Sequence, residues 1–129
     1  MGKERVLARV EADLRHGRSH PAMQRLAGLT TAYPDDLDLR CARAALYRQI
    51  GNAVEAGRWG FLTESATEAE IAAFENAYPS AWARLRTLKV RANPADSLGP
   101  VAAARVSRLV EQAGRGRAGP VVWTETGPR

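Results

Sequence analysis

His16 and His20 stand four residues apart, the spacing at which two imidazoles on one helical face can share a metal ion. Gly17 falls between them and favours a break in the helix, and no acidic ligand stands in a matching motif, so no metal site is expected there. Cys41 is the single cysteine. No constellation around it marks a nucleophile, and it reads as a passive thiol on a helix, in the core or on an inner surface. The chain has no Gly-rich phosphate loop following a strand, no nucleophile elbow and no His-Glu-x-x-His signature. These observations predict a non-enzymatic protein, with no catalytic residue, no metal and no cofactor.

The cations are the other chemically capable set. The net charge is +5 and the isoelectric point is near 10.1, but the distribution says more than the sum. Residues 1–79 hold 10 basic and 11 acidic groups, whereas residues 80–129 hold 9 basic and 3 acidic. The positive excess is therefore C-terminal, and an acidic partner is expected to dock there. Arg105, Arg108, Arg115 and Arg117 form the candidate basic face, able to touch nucleic acid or an acidic protein. No aromatic alternates with these arginines, so bases lack an evident stacking platform, and a solvated basic face is the plainer reading. Of the 19 basic residues, 17 are arginine; with abundant alanine, this resembles the coding bias of a GC-rich bacterial genome.

The elements that position these groups read as helices throughout. Val6, Leu7, Val10 and Leu14 share a face from Lys3 to His16, and Gly17 ends that helix. Ser19 or His20 can cap a second helix, with Pro21 in its first turn and Met23, Leu26 and Leu29 at helical spacing. Tyr33-Pro34-Asp35-Asp36 stops it and caps a third, whose stripe is Leu39, Ala42, Leu46 and Ile50, closed by Gly51. Asn52 with Glu55 and Thr67 with Glu70 have the capping-box spacing, and Pro79-Ser80 restarts the chain into Trp82, Leu85, Leu88 and Val90. Trp59-Gly60-Phe61 concentrates aromatic area around a residue without a side chain, which suits close helix packing before it suits a pocket. Val121-Val122-Trp123 is too isolated to pair as a strand.

A chain of 129 residues with 45% hydrophobic content suits one domain. A lone cysteine excludes an internal disulfide and suits a reducing compartment; with no signal-peptide-like stretch or membrane span in sight, the cytoplasm is the expected location.

Gly17 and Ala22 recur as Gly51 and Ala56, both at an interval of 34 residues, the period of stacked helical hairpins. The stretch LYRQIGNAVEAGRWGFL, residues 46–62, resembles the middle of a tetratricopeptide repeat, with Tyr47, Gly51-Asn52 and Ala56 at the aromatic, turn and small-residue positions. Asp13 and Gly60 depart from that pattern, and no Pro ends the second copy. Residues 4–91 also resemble a group of small actinobacterial proteins without an assigned activity, through Leu26 to Leu29, Tyr33 to Asp36 and Glu55 to Trp59. The resemblance implies an all-α fold of stacked antiparallel hairpins over residues 1–91, about two repeats plus a degenerate third hairpin. A linker (92–99), an amphipathic helix (100–113) and a disordered tail (114–129) are expected to follow. In that register Leu7, Glu11, Leu14 and Arg15 line a concave groove beside Cys41, Ala45, Arg48 and Gln49, open to a partner peptide or to the last helix of the chain. The expected function is protein–protein interaction, with nucleic-acid association through the Arg-rich C-terminal third as the alternative. Neither the partner nor the oligomeric state follows from the residues.

Overall fold

The structure is a computed structural model in which residues 2–91, 97–117 and 119–129 are described. It is all-α apart from a short C-terminal ribbon. The helices are α1 (Lys3–Arg15), α2 (Ser19–Ala32), α3 (Leu37–Gln49), α4 (Ala53–Gly60), α5 (Glu68–Ala77), α6 (Ala81–Thr87) and α7 (Gly99–Arg115). Two-residue strands β1 (Trp123–Thr124) and β2 (Gly127–Pro128) pair antiparallel.

Local chemistry sets most of the boundaries. Gly17 and Gly51 adopt φ of +71° and +82°, the left-handed conformation that lets the chain turn from α1 to α2 and from α3 to α4. The Asp36 carboxylate accepts from the Leu39 amide and the Asn52 side chain accepts from the Glu55 amide, each at 3.1 Å, satisfying N–H groups that the helix starts leave open. Thr67 and Glu70 form a reciprocal capping box at α5, and Ser80 caps α6. Asn52 makes only half a box, because the Glu55 carboxylate turns to Arg58.

Helices α1 and α2 form one hairpin and α3 and α4 another, and α3 also packs on α2. Val10, Ala22, Leu26 and Leu46 make the core of this half, with Leu7, Leu14, Met23 and Ala42 packed against it. Ala22 and Ala56 are both fully buried, as expected of small residues where helix axes approach. Lys3 reaches Asp36 at 2.7 Å, bringing the starts of α1 and α3 together. Helix α4 lies close against α5 and the segment before it. A Cβ on Gly57 would overlap the Glu70 carbonyl oxygen and lie 2.7 Å from its carbon, while one on Gly60 would lie 3.0 Å from the Ala66 Cβ.

A second cluster joins Phe61, Leu62 and Phe74 to Leu85, Leu88 and Val90, and to the Ala102, Val106, Leu109 and Ala113 stripe of α7. The last helix thus covers its apolar face on α6 and on the ends of α4 and α5, instead of the α1/α3 surface expected to be open to it. The linker expected at 92–99 falls mainly on 92–96, outside the described residues; Ser97 and Leu98 lead into α7 at Gly99. The disordered tail expected over 114–129 is corrected. Helix α7 runs on to Arg115, and Val122 and Arg129 exchange two backbone hydrogen bonds of 2.7 Å. Val121 and Trp123 pack on the second cluster, so tertiary contact supplies the apolar burial that the tail's composition lacks.

Candidate functional site

The residues expected to line a groove do not share one open surface. Leu7 and Leu14 turn into the core of the first hairpin, because the face of α1 that covers α2 needs its largest apolar side chains. Glu11 and Arg15 stay exposed on α1, Ala45 and Gln49 on α3, and Cys41 is a half-buried free thiol. Arg48 is not a free central cation: its Nε donates to Glu70 at 2.5 Å and its Nη2 to the same carboxylate at 2.8 Å. This pair holds the Glu70 carboxyl below, and the Arg48 guanidinium above, their ordinary values.

The four arginines of the expected basic face also separate. Arg105 donates to the carbonyls of Phe61 and Thr63 at 2.8 and 2.6 Å, so it ties α7 to the end of α4 instead of facing solvent. Arg115 pairs with Glu111, one turn away on α7, and Arg108 is exposed. Arg117 lies over the Trp82 ring, 4.1 Å from its centroid. The aromatic partner that does not alternate with arginine along the chain is brought to it by folding. His16 ends α1 and His20 begins α2, both exposed; among the described residues no three His, Cys, Asp or Glu side chains converge as metal ligands.

The candidate site is a cleft between the α2–α4 layer and the C-terminal ribbon, in two adjoining lobes. The inner lobe, about 460 Å3, is lined by Thr30, Thr31 and Pro34 at the end of α2, Arg43 of α3, Arg58 and Trp59 of α4, and Arg91. The outer lobe, about 780 Å3, is lined by Tyr78, Trp82, Arg86, Arg117, Pro128 and Arg129. Lys89, Val90 and Thr126 line both. Two backbone positions shape this junction: Lys89 takes φ of +59°, and Gly127, at φ +126°, lets the ribbon approach the Val90 carbonyl, which a Cβ would meet at 3.1 Å. Among the described residues no acidic side chain lines either lobe, and Glu125, next to Thr126 on the ribbon turn, is exposed outside them.

Beneath the inner lobe, three guanidinium groups gather on one indole. Arg43, Arg58 and Arg40 lie 3.8, 4.9 and 5.2 Å from the centre of the Trp59 ring. Their polar partners are mainly neutral. Arg40, fully buried, donates to the carbonyls of Pro34 and Leu88 at 2.7 and 2.8 Å; Arg43 donates to Thr30 Oγ1 at 2.7 Å. Arg58 donates to the Thr87 carbonyl at 2.8 Å and pairs with Glu55 at 3.2 Å. Burial, with smaller contributions from Arg58 and Arg43 that outweigh nothing but add to it, pushes the Arg40 guanidinium down to about 10, against the pull of Asp35. The Nε–H of Arg43 and the indole Nε1–H of Trp59 are buried without an acceptor among the described residues.

A family model described as a family of unknown function matches residues 1–127. The chain belongs to DUF6584. Comparison with curated proteins and with solved structures finds no match. The DUF6584 description names no activity, which leaves the chemistry of the cleft to be read from its own side chains. Among the described residues, seven cations contributed by α3, α4, α6, the segment after α6 and the C-terminal region line the cleft and no carboxylate side chain does. A cluster of like charges in a cleft raises the local positive potential. Arg43 and Arg58 are absent from the candidate site residues read from the sequence, and Trp59 is expected there to serve packing before a pocket, although Arg84, Arg86, Lys89 and Arg91, four cations within eight residues beside Trp82, are a signal that could have pointed to the cleft. Of these, Arg84 is buried and serves the fold, donating to the carbonyls of Tyr78 and Pro79.

Proposed function

We propose that the protein is a non-enzymatic interaction module that receives an acidic segment of a partner protein in the cleft between the α2–α4 layer and the C-terminal ribbon. The observation that carries this reading is the pair of adjoining lobes lined, among the described residues, by seven cationic side chains and no acidic one. An extended acidic chain can meet Arg117 and Arg86 in the outer lobe and Arg43 and Arg58 in the inner lobe while resting on Trp82 and Tyr78. The partner surface is thereby moved from the first helices of the hairpins to the far side of the second. Stacked, tetratricopeptide-like hairpins are part of the proposal, supported by the buried Ala22 and Ala56 and by the neighbouring starts of α1 and α3. A cytoplasmic setting is supported by the free thiol of Cys41; no helix among the described residues is long and apolar enough to cross a membrane.

The test is fluorescence anisotropy with a short Asp/Glu-rich peptide. Saturable binding is expected, weakened by Arg86→Gln and Arg117→Gln and unchanged by Arg108→Gln, since Arg108 is exposed and lines neither lobe. Equal affinity in all four proteins would dismiss the cleft. The second reading is binding of single-stranded nucleic acid, favoured by the Arg117–Trp82 stack and by Tyr78 in the same lobe. An oligothymidylate that binds more tightly than the peptide and is lost in Trp82→Ala selects that reading.

A further inference from the structure

We propose that the inner lobe is a phosphoryl-binding site, formed by Arg43, Arg58 and the indole N–H of Trp59. The proposal rests on the binding-module reading and names the group that the deepest part of the cleft holds. Arg43 Nε–H and Trp59 Nε1–H are both buried and both lack an acceptor among the described residues, and Trp59 is only 5% exposed. Two unanswered donors at one place are costly, because each gives up water and receives nothing in return. Both residues line the same cavity, and a small turn of either side chain would bring its buried N–H to an oxygen-rich group held there.

Charge points the same way. Three guanidiniums share the Trp59 ring, and Glu55 is the one carboxylate bonded to any of them among the described residues. Like charges brought together at low solvent exposure repel, and an anion in the lobe relieves that repulsion while a neutral ligand does not. Donors from α3 and α4 line the lobe together with Lys89 and Arg91 of the segment after α6. A tetrahedral group with three terminal oxygens and close to two negative charges uses such a set; a planar carboxylate has two oxygens and one charge. The cavity, about 460 Å3, is larger than one phosphate, so the group can be carried on a peptide or arrive as free phosphate or pyrophosphate.

Isothermal titration calorimetry and 31P NMR on the full chain test this, with inorganic phosphate, pyrophosphate, and one acidic peptide with and without a phosphoserine. Pyrophosphate is expected to bind with one-to-one stoichiometry and to raise the melting temperature. Arg43→Gln should weaken it roughly tenfold. Arg91→Gln, a change at an exposed position that leaves the Trp59 cluster intact, should weaken it by a smaller factor and keeps the test valid if Arg43→Gln does not fold. A phosphopeptide that outcompetes both pyrophosphate and its unphosphorylated form assigns the group to a partner; pyrophosphate binding as tightly as the phosphopeptide assigns it to a free ligand. Binding of the unphosphorylated peptide with no gain from phosphoserine and no response to phosphate or pyrophosphate overturns the phosphoryl site and leaves the acidic-partner reading standing. Failure of every probe removes both.

Discussion

Gly57 and Gly28 are both helical glycines, and their surroundings give them opposite roles. Gly57 faces the Glu70 carbonyl so closely that a methyl group has no room, whereas nothing lies within 4 Å of a Cβ on Gly28. Gly57→Ala should therefore destabilise the fold by about 1–3 kcal/mol through overpacking. Gly28→Ala should stabilise it by up to about 1 kcal/mol, because alanine loses less backbone freedom in a helix. Urea midpoints at unchanged slope separate the two. Glu70 offers a second residue-level test. Its hydrogen bonds from Arg48, aided by the Thr67 amide and opposed by burial, lower its carboxyl pKa. A lowered folded value means that its stabilisation is complete above the unfolded glutamate range, about 4.3, and is lost as pH falls through the folded value. Glu70→Gln should cost about 1–2 kcal/mol at neutral pH, a figure discounted because Arg48 is more than a third exposed. The variant should also lose less stability than the parent between pH 5 and pH 3 (roughly the interval over which carboxylates protonate), measured by denaturation at each pH.

Among the elements, α7 and the ribbon are the parts whose place the local pattern could not supply. Helix α7 is amphipathic, and its stripe of Ala102, Val106, Leu109 and Ala113 needs cover. The cover is Phe61, Leu62, Phe74, Leu85 and Leu88, drawn from α5, α6 and the segments after α4 and α6. Leu109 is 2% exposed, so Leu109→Ala should cost about 2–5 kcal/mol. The loss should appear in one cooperative transition by circular dichroism and tryptophan fluorescence, because the same cluster holds α4, α5 and α6. An early separate loss of α7 would show that this helix is only loosely added. The ribbon follows the same logic on a smaller scale: a pair of two-residue strands cannot stand alone in water, and Trp123 and Val121 anchor it to the cluster.

At the scale of the whole molecule, the distribution of charge decides where an anion goes. The sequence places the positive excess in residues 80–129, yet Arg43 and Arg58 of the inner lobe come from the neutral-to-acidic N-terminal part. Folding collects cations from both parts around one opening and spends others, such as Arg40, Arg84 and Arg105, on backbone carbonyls inside. Association with an acidic peptide should therefore slow by roughly tenfold between low and physiological ionic strength, with a smaller change in dissociation. Stopped-flow anisotropy reads both rates. Equal salt effects on a cleft variant such as Arg117→Gln and on Arg108→Gln would place the steering field elsewhere.

Helix number, the Gly17 and Gly51 turns, the caps at Asp36, Asn52, Thr67 and Ser80, and the burial of Ala22 and Ala56 are written in local residue order, because caps, turns and helical stripes act over a few positions. The all-α class follows from them. The destination of each arginine is not local. Arg105 and Arg117 are alike along the chain, and one clamps two carbonyls while the other stacks on an indole 35 residues earlier. Whether a cation ends as a structural donor or as part of a ligand site depends on which carbonyls, rings and carboxylates distant segments bring to it. The closure of α7 and the ribbon around that site likewise depends on long-range burial, which only the assembled tertiary structure decides.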